Sequence, residues 1–321
     1  MTSRRVALVV GASRGIGRQI AVDLANEGYA VVVAAKSTTP EADLAKFSPF
    51  PPDPNSPLST ITTVAREITL AGGEATAIPV DTTSYASIQQ LVTKTVETYT
   101  RLDILIYNAG AIWWAPVAGT PMKRFQLMQR VNPEGLYGAV QAALPHLNPT
   151  DEAGRKRRRT TGGGARIVVV CPPIYSRFFR GKAAYAMGKV AMSVLVKGLA
   201  MDFEREGVVE GEGTAEGGLG AIESAATEQF TRKDASYARD LRKATIFSDA
   251  VLAMIKAPAS VINGQLELDE DFLRKQAGVT DFSKYAVVPG TSPRRIMPAE
   301  LPDLTVKEQD DEGMRTDSSK L

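Results

Sequence analysis

Val6-Ala-Leu-Val-Val10, followed at once by Gly11-Ala-Ser-Arg-Gly-Ile-Gly17, is the stretch whose reading decides the fold of this chain. A continuous apolar run closed by a glycine-rich turn reads as a buried strand, and from Ile16 to Ala25 apolar residues then recur at helical spacing. Strand, loop and helix in that order bring the amides of a helix N-terminus beside glycines. That is the setting in which backbone N–H groups approach a pyrophosphate closely.

Working outward, short apolar runs return at Ala30 to Ala34, Ala75 to Val80, Ile104 to Tyr107 and Arg166 to Val170. Helical spacing fills the intervals over Thr60 to Ala71, Ser84 to Tyr99, Lys123 to His146 and Ala184 to Glu204. Strands separated by helices predict an α/β fold with a doubly wound parallel sheet. Three segments break the alternation. Ser37 to Ser59 is proline-rich among small polar residues and reads as a surface insertion. Asp151 to Gly164 carries the basic run Arg155 to Arg159, which reads as a solvated loop rather than a nuclear signal or an anion patch. Gly207 to Gly220 is rich in Gly and Glu where a sixth strand is due, so that strand is expected to be weak or absent. Further on, Ser248 is the expected N-cap of a helix over Ala250 to Ile255, and Gly264 to Leu268 is the expected last strand, ending at Asp269. The expectation is one domain over residues 1–290 and a mobile polar tail over 291–321, where no periodic apolar face remains.

Composition removes several function classes. Of 321 residues, 44% are apolar and 23% charged, ordinary usage for a chain with a packed core. Lys and Arg number 38 against 36 acids, which argues against a nucleic-acid partner. Apolar stretches are interrupted too early for a membrane span, and Gly11 cuts the first run below the length of a signal-peptide core, so a soluble, non-secreted protein is expected. One cysteine, Cys171, allows no internal disulfide, and with His146 as the only histidine a zinc site lacks ligands. No metal is expected.

Tyr185-Ala-Met-Gly-Lys189 puts a phenol and an ammonium four residues apart, on one face of a helix. A nearby cation favours the phenolate and suits the phenol to proton exchange with a substrate oxygen. At the end of the second strand, dinucleotide folds that select NAD place a carboxylate, whereas a 2′-phosphate needs a cation. Here Ala34-Ala35 precede Lys36, and Arg14 adds a second positive charge, so NADP is the expected cofactor.

Together the glycine loop, Asn108-Ala-Gly110 and Tyr185 with Lys189 resemble the short-chain dehydrogenase/reductase superfamily, whose fold is Rossmann-like, over roughly Val6 to Gly290. Ala34-Ala35-Lys36, Val131-Asn132, Cys171-Pro172-Pro173, Ala221 to Thr227 and Tyr285 to Gly290 resemble its peroxisomal hydroxysteroid dehydrogenase-like subgroup, without the lipid-transfer domain that some members carry. The resemblance implies that Gly11, Ser13, Arg14, Gly15, Ile16 and Gly17 bind cofactor phosphates, that Asp81 contacts the adenine, and that Asn108, Ala109 and Gly110 back the adenosine side. Tyr185 would be the acid/base, Lys189 would hold the nicotinamide ribose, and Asn132 would anchor a water relay. The substrate-orienting serine of the family is replaced by Cys171 or Pro172, with Ser176 or Tyr175 as possible substitutes. Gly217-Gly218-Leu219-Gly220 stands where the family has a strand ending in a proline motif. Trp113 and Trp114 either wall an apolar substrate pocket or pack in the core. The chain ends Ser319-Lys320-Leu321, a tripeptide read by the peroxisomal import receptor. The expected activity is hydride transfer between NADP(H) and a carbonyl or alcohol carbon of a lipid-like or acyl-derived small molecule. The alternatives are a secondary-metabolite ketoreductase and a non-catalytic NADP-binding protein. A homo-oligomer is possible, since the helix carrying Tyr185 often pairs subunits in this family.

Overall fold

The computed structural model describes residues 4–147, 164–172, 179–205 and 221–295. The basic run Arg155 to Arg159, Tyr175, Ser176, Gly207 to Gly220 and Ser319 to Leu321 lie outside the described residues. Five parallel strands, β1 (Val6–Val10), β2 (Ala30–Ala35), β3 (Glu74–Pro79), β4 (Ile104–Tyr107) and β5 (Arg166–Val169), form one sheet in the order β3-β2-β1-β4-β5. The helices are α1 (Gly15–Asn26), α2 (Glu41–Leu44), α3 (Ile61–Leu70), α4 (Tyr85–Tyr99), α5 (Met122–Gln129), α6 (Gly135–Leu147), α7 (Ala183–Arg205), α8 (Ala225–Thr231), α9 (Thr245–Lys256), α10 (Ala259–Ile262) and α11 (Asp269–Gln276).

β1 is central and wholly buried because successive side chains enter opposite layers. Val6, Leu8 and Val10 pack with Leu105, Tyr107 and residues of α4, α6 and α7. Ala7 and Val9 pack with Ile104, Ile106 and residues of α1, α3 and α9. Each such Val, Leu or Ile contributes roughly 1.5–3 kcal/mol by leaving water. Asp103, fully buried, accepts from the Val6 amide at 2.8 Å and pairs with Arg101, which fastens the start of β1 to the start of β4.

The stretch from Lys123 to His146 is helical throughout but changes pitch. Residues Arg130–Glu134 form a π-helical turn, because Pro133 has no N–H for the α ladder, and the Gly135 amide donates to Arg130 instead. Further along, α7 is long and apolar enough to cross a membrane by length and composition over Ala183–Asp202. Here it lies against the sheet with Tyr185, Lys189, Met192 and Val196 buried.

Two expectations are corrected. Gly264 to Leu268 is not a strand: Gly264 takes φ +65° and turns the chain, after which Leu266 and Leu268 enter the core singly, without a ladder. Ser248 is not an N-cap: α9 begins at Thr245, so Ser248 is a buried helical residue, and Ile246 and Phe247 extend the apolar face ahead of it. The segment after Gly220 forms β6 (Ala221–Ile222), which pairs in parallel with β7 (Leu241–Arg242) in a separate two-stranded sheet.

The insertion is mostly exposed, as expected, yet it is tied to the glycine loop. The Pro54 carbonyl accepts from the Gly15 amide at 2.9 Å, and the Ser59 hydroxyl donates to the Ser13 carbonyl at 2.7 Å.

Candidate active site

Strand order reverses between β1 and β4, where one chain crossing leaves toward β2 and the other toward β5, and a crevice opens at the carboxyl ends of the strands. The glycine loop lines it by close packing. A Cβ on Gly11, which has φ +90°, would sit 2.5 Å from the Ala109 nitrogen, and one on Gly17 would sit 2.2 Å from the Gly11 carbonyl oxygen. Asn108 locks this arrangement by donating from Nδ2 to that same carbonyl at 2.7 Å. Gly11, Ser13, Arg14, Lys36, Asp81, Asn108, Ala109 and Gly110 line one cleft of about 490 Å³. Gly15, Ile16 and Gly17 form the adjoining first turn of α1.

Lys36 and Asp81 face each other here. The Lys36 Nζ lies 2.7 Å from Asp81 Oδ2, with Lys36 itself 75% exposed. Thr83 donates its amide and its hydroxyl to the other carboxylate oxygen. Lys36 first, and then these two hydrogen bonds, hold the Asp81 pKa down at about 2. An acid therefore does stand beside Lys36. It comes from the end of another strand, so the linear sequence around Lys36 does not reveal it.

Beyond Gly110 the cleft meets α7 and the π-helical turn. A Cβ on Gly110 would lie 3.6 Å from both Asn132 Oδ1 and Lys189 Nζ. Asn132, fully buried, clasps the Ala111 backbone, accepting from its amide at 2.8 Å and donating to its carbonyl at 3.1 Å. Lys189 donates to the Val170 carbonyl at 3.1 Å, at the end of β5. Tyr185 is buried one turn earlier on α7. Burial, with Cys171 acting the same way, pushes its phenol well above the usual value. The lowering that the Tyr/Lys pairing predicts is not seen, because burial governs this phenol.

Cys171, at the position of the family's substrate-orienting serine, is buried just beyond the end of β5. The Sγ donates toward the Lys189 carbonyl and packs on the Met192 sulfur, each at 3.7 Å, so it is a small core residue beneath α7. Both tryptophans pack, partly buried, against the small cluster of Met128, Ala184, Tyr185 and Ala186. Trp113 donates to the Gly119 carbonyl and lies under Arg124, whereas Trp114 packs edge-on against Tyr185 at 6.5 Å. Phe230 of α8 stacks on Trp114 at 5.9 Å, and Lys182 lies 4.7 Å over the same ring. Lys182 and Phe230 carry no motif. Lys182 was discoverable from its position three residues before Tyr185, which shares that helix face. Phe230 reaches the site only through the fold.

This parallel sheet, with a glycine loop at its crossover and a long helix carrying Tyr185 and Lys189 beside it, is the architecture of the short chain dehydrogenase family, to which the chain belongs. The model of that family matches residues 5–47 and 56–221, skipping only the tip of the insertion between them. The chain is similar to hydroxysteroid dehydrogenase-like protein 2 of Danio rerio, 34% identical over 284 residues, 88% of this chain and 60% of the relative. The human protein of that name is 32% identical over the same shares. The chain thus spans about 60% of the length of these curated relatives. Among solved structures, a putative dehydrogenase from Xanthomonas campestris superposes with a TM-score of 0.72 at 32% identity, covering 96% of this chain and 100% of that one. A short chain dehydrogenase from Mycobacterium thermoresistibile gives 0.72 at 30% identity, covering 92% and 98%.

Proposed function

We propose that this protein is an NADP-dependent reductase or dehydrogenase acting at the carbonyl or alcohol carbon of a lipid-like or acyl-derived small molecule, with Tyr185 as the acid/base. The reading rests on one observation, the convergence of Lys189 and Asn132 on Gly110 beside Tyr185, where the glycine-lined cleft ends. What supports a dinucleotide there is the helix end: the first-turn amides of Ile16 and Gly17 have no acceptor within α1, and the adjoining cleft is lined by Gly11, Ser13, Arg14 and Gly110. A bound nicotinamide supplies or takes up the hydride. The chain's own residues do the rest. Ser13, Arg14, Gly15, Ile16 and Gly17 surround the phosphates, Asp81 and Asn108 to Gly110 flank the adenosine, and Lys189 holds the ribose. Protonated Tyr185 gives its proton to the carbonyl oxygen as charge develops there, and a water relay anchored at Asn132 returns it. Reduction uses the phenol in its protonated, donor form. NADPH consumption against a panel of ketones and acyl-derived carbonyls tests the reading. Tight NADPH binding with no reduction of any of them would leave a cofactor-binding protein instead.

For cofactor choice, Lys36 and Arg14 both line the cleft, and only NADP offers a 2′-phosphate to them. Lys36 shares its charge with Asp81 and is exposed, so its gain is modest. Lys36→Ala should weaken NADPH binding roughly tenfold and leave NADH binding nearly unchanged. Fluorescence titration of both cofactors measures this, and an unaltered ratio removes Lys36 from the argument.

Met187, Val194 and Met201 expose an apolar stripe on α7, which supports pairing of subunits through that helix.

A further inference from the structure

The insertion between β2 and α3 is anchored at both ends beside the cofactor cleft. Where it leaves β2, the Ser37 carbonyl accepts from the Ile61 amide at 3.1 Å and the Thr39 and Thr60 hydroxyls share a hydrogen bond at 2.8 Å, so its root is stitched to the start of α3. α3 is in turn held to α1 by Arg18 and Glu67 at 2.6 Å. Where the insertion returns, residues 53–59 fold on themselves. Asp53 Oδ1 accepts from the Asn55 amide at 2.8 Å, the Asp53 carbonyl from the Ser56 amide at 3.0 Å, and the Ser56 carbonyl from the Ser59 amide at 3.0 Å. The returning end is a compact arm built from turn residues.

That arm grips the glycine loop on either side of one residue. The Ser59 hydroxyl donates to the Ser13 carbonyl at 2.7 Å, and the Pro54 carbonyl accepts from the Gly15 amide at 2.9 Å. Arg14 is the residue between them. A Cβ on Gly15 would meet Asn55 Oδ1 at 3.6 Å, so the arm also lies directly against the loop. Arg14 stands at the N-cap of α1, where Ser, Thr, Asp or Asn would normally accept from the first amides, and its side chain makes no such bond. The first amide is capped from outside, by Pro54. A cation at the positive pole of a helix is unfavourable unless an anion meets it, and Arg14 lines the cleft together with Lys36. Pro54 and Asn55 belong to the stretch that the family pattern skips, so this grip is no part of the shared glycine motif.

Resting on the NADP reading above, we propose that the insertion is a positioning element for cofactor choice: by pinning the Ser13 carbonyl and the Gly15 amide it fixes the backbone of Arg14, and so aims the guanidinium at the 2′-phosphate that distinguishes NADP from NAD. The pyrophosphate is common to both cofactors. A brace that merely stiffened the glycine loop would help both alike, whereas one acting through Arg14 helps NADP alone.

The test is equilibrium titration of NADPH and NADH on the full chain carrying Ser59→Ala, Arg14→Ala, or the two together. Ser59 is buried, and Ser59→Ala removes one oxygen and leaves the Ser13 carbonyl without that donor. It should weaken NADPH binding about five- to tenfold while changing NADH binding less than about twofold. In the Arg14→Ala background, Ser59→Ala should leave the NADPH to NADH ratio where Arg14→Ala put it, because a residue that acts through another is not additive with it. Melting temperatures establish folding, and Ser59→Cys, of similar size but a weak donor, takes the place of Ser59→Ala should that variant not fold. If the Ser59 variant weakens both cofactors equally or neither, or lowers the ratio as much without Arg14 as with it, the positioning role is overturned while the NADP reading stands. A wild type without preference for NADPH overturns that reading and this inference with it.

Discussion

Tyr185→Phe is expected to lower kcat by about 10²- to 10⁴-fold, the span of a general acid's contribution, while changing NADPH affinity less than about twofold. The substitution removes one oxygen and keeps the ring, so the edge contact with Trp114 and the packing of α7 survive. The loss falls on proton transfer to the substrate oxygen. Lys189→Ala should behave differently. Its ammonium donates to the Val170 carbonyl and lies beside Asn132 and Gly110 where the cleft meets α7, so its removal should weaken NADPH binding as well as turnover. Stopped-flow turnover and equilibrium titration on the two variants separate these effects. Wild-type turnover in Tyr185→Phe would defeat the catalytic assignment outright.

Gly17→Ala should cost about tenfold to a hundredfold or more in NADPH affinity and also lower the melting temperature, because overpacking a tight site costs roughly 1–3 kcal/mol or more. The new Cβ would fall 2.2 Å from the Gly11 carbonyl oxygen and 2.5 Å from Asn108 Nδ2. The first of these is backbone, and the second is the group that donates to it, so neither can move without opening the loop. Gly198→Ala is the matched control. It lies on the exposed side of α7 with nothing within 4 Å of its Cβ, and a helix interior favours Ala over Gly by about 1 kcal/mol. The control should melt at the wild-type temperature or above. If Gly17→Ala binds NADPH as wild type does, the close approach of α1 to the loop is not what shapes the cleft.

The parallel sheet was legible in the sequence because its signals are local. Val6 to Val10 had to be covered on both faces, the glycines had to end that strand, and Tyr185 and Lys189 had to share a helix face, whatever the rest of the chain did. The same locality limits the reading. Gly264 to Leu268 has a strand's apolar alternation, but a strand also needs a neighbour to bond with, and the turn at Gly264 delivers Leu266 and Leu268 to the core without one. Ser248 has the residue type of a cap, yet a cap is defined by where the helix starts, and the apolar residues ahead of it carry α9 back to Thr245.

The sequence by itself determined the order of strands and helices, the glycine loop and the Tyr185/Lys189 pair, since backbone conformation and helical spacing act over a few residues. Only the tertiary structure decided what surrounds those groups. It brought Asp81 from the end of β3 to Lys36, turned the Cys171 thiol onto the Lys189 carbonyl, raised the Tyr185 pKa by burial, and set Trp114, Phe230 and Lys182 against one another. Charge pairing, desolvation and ring stacking depend on distances between residues far apart in the chain, and those distances exist only once the two core layers have closed on the sheet.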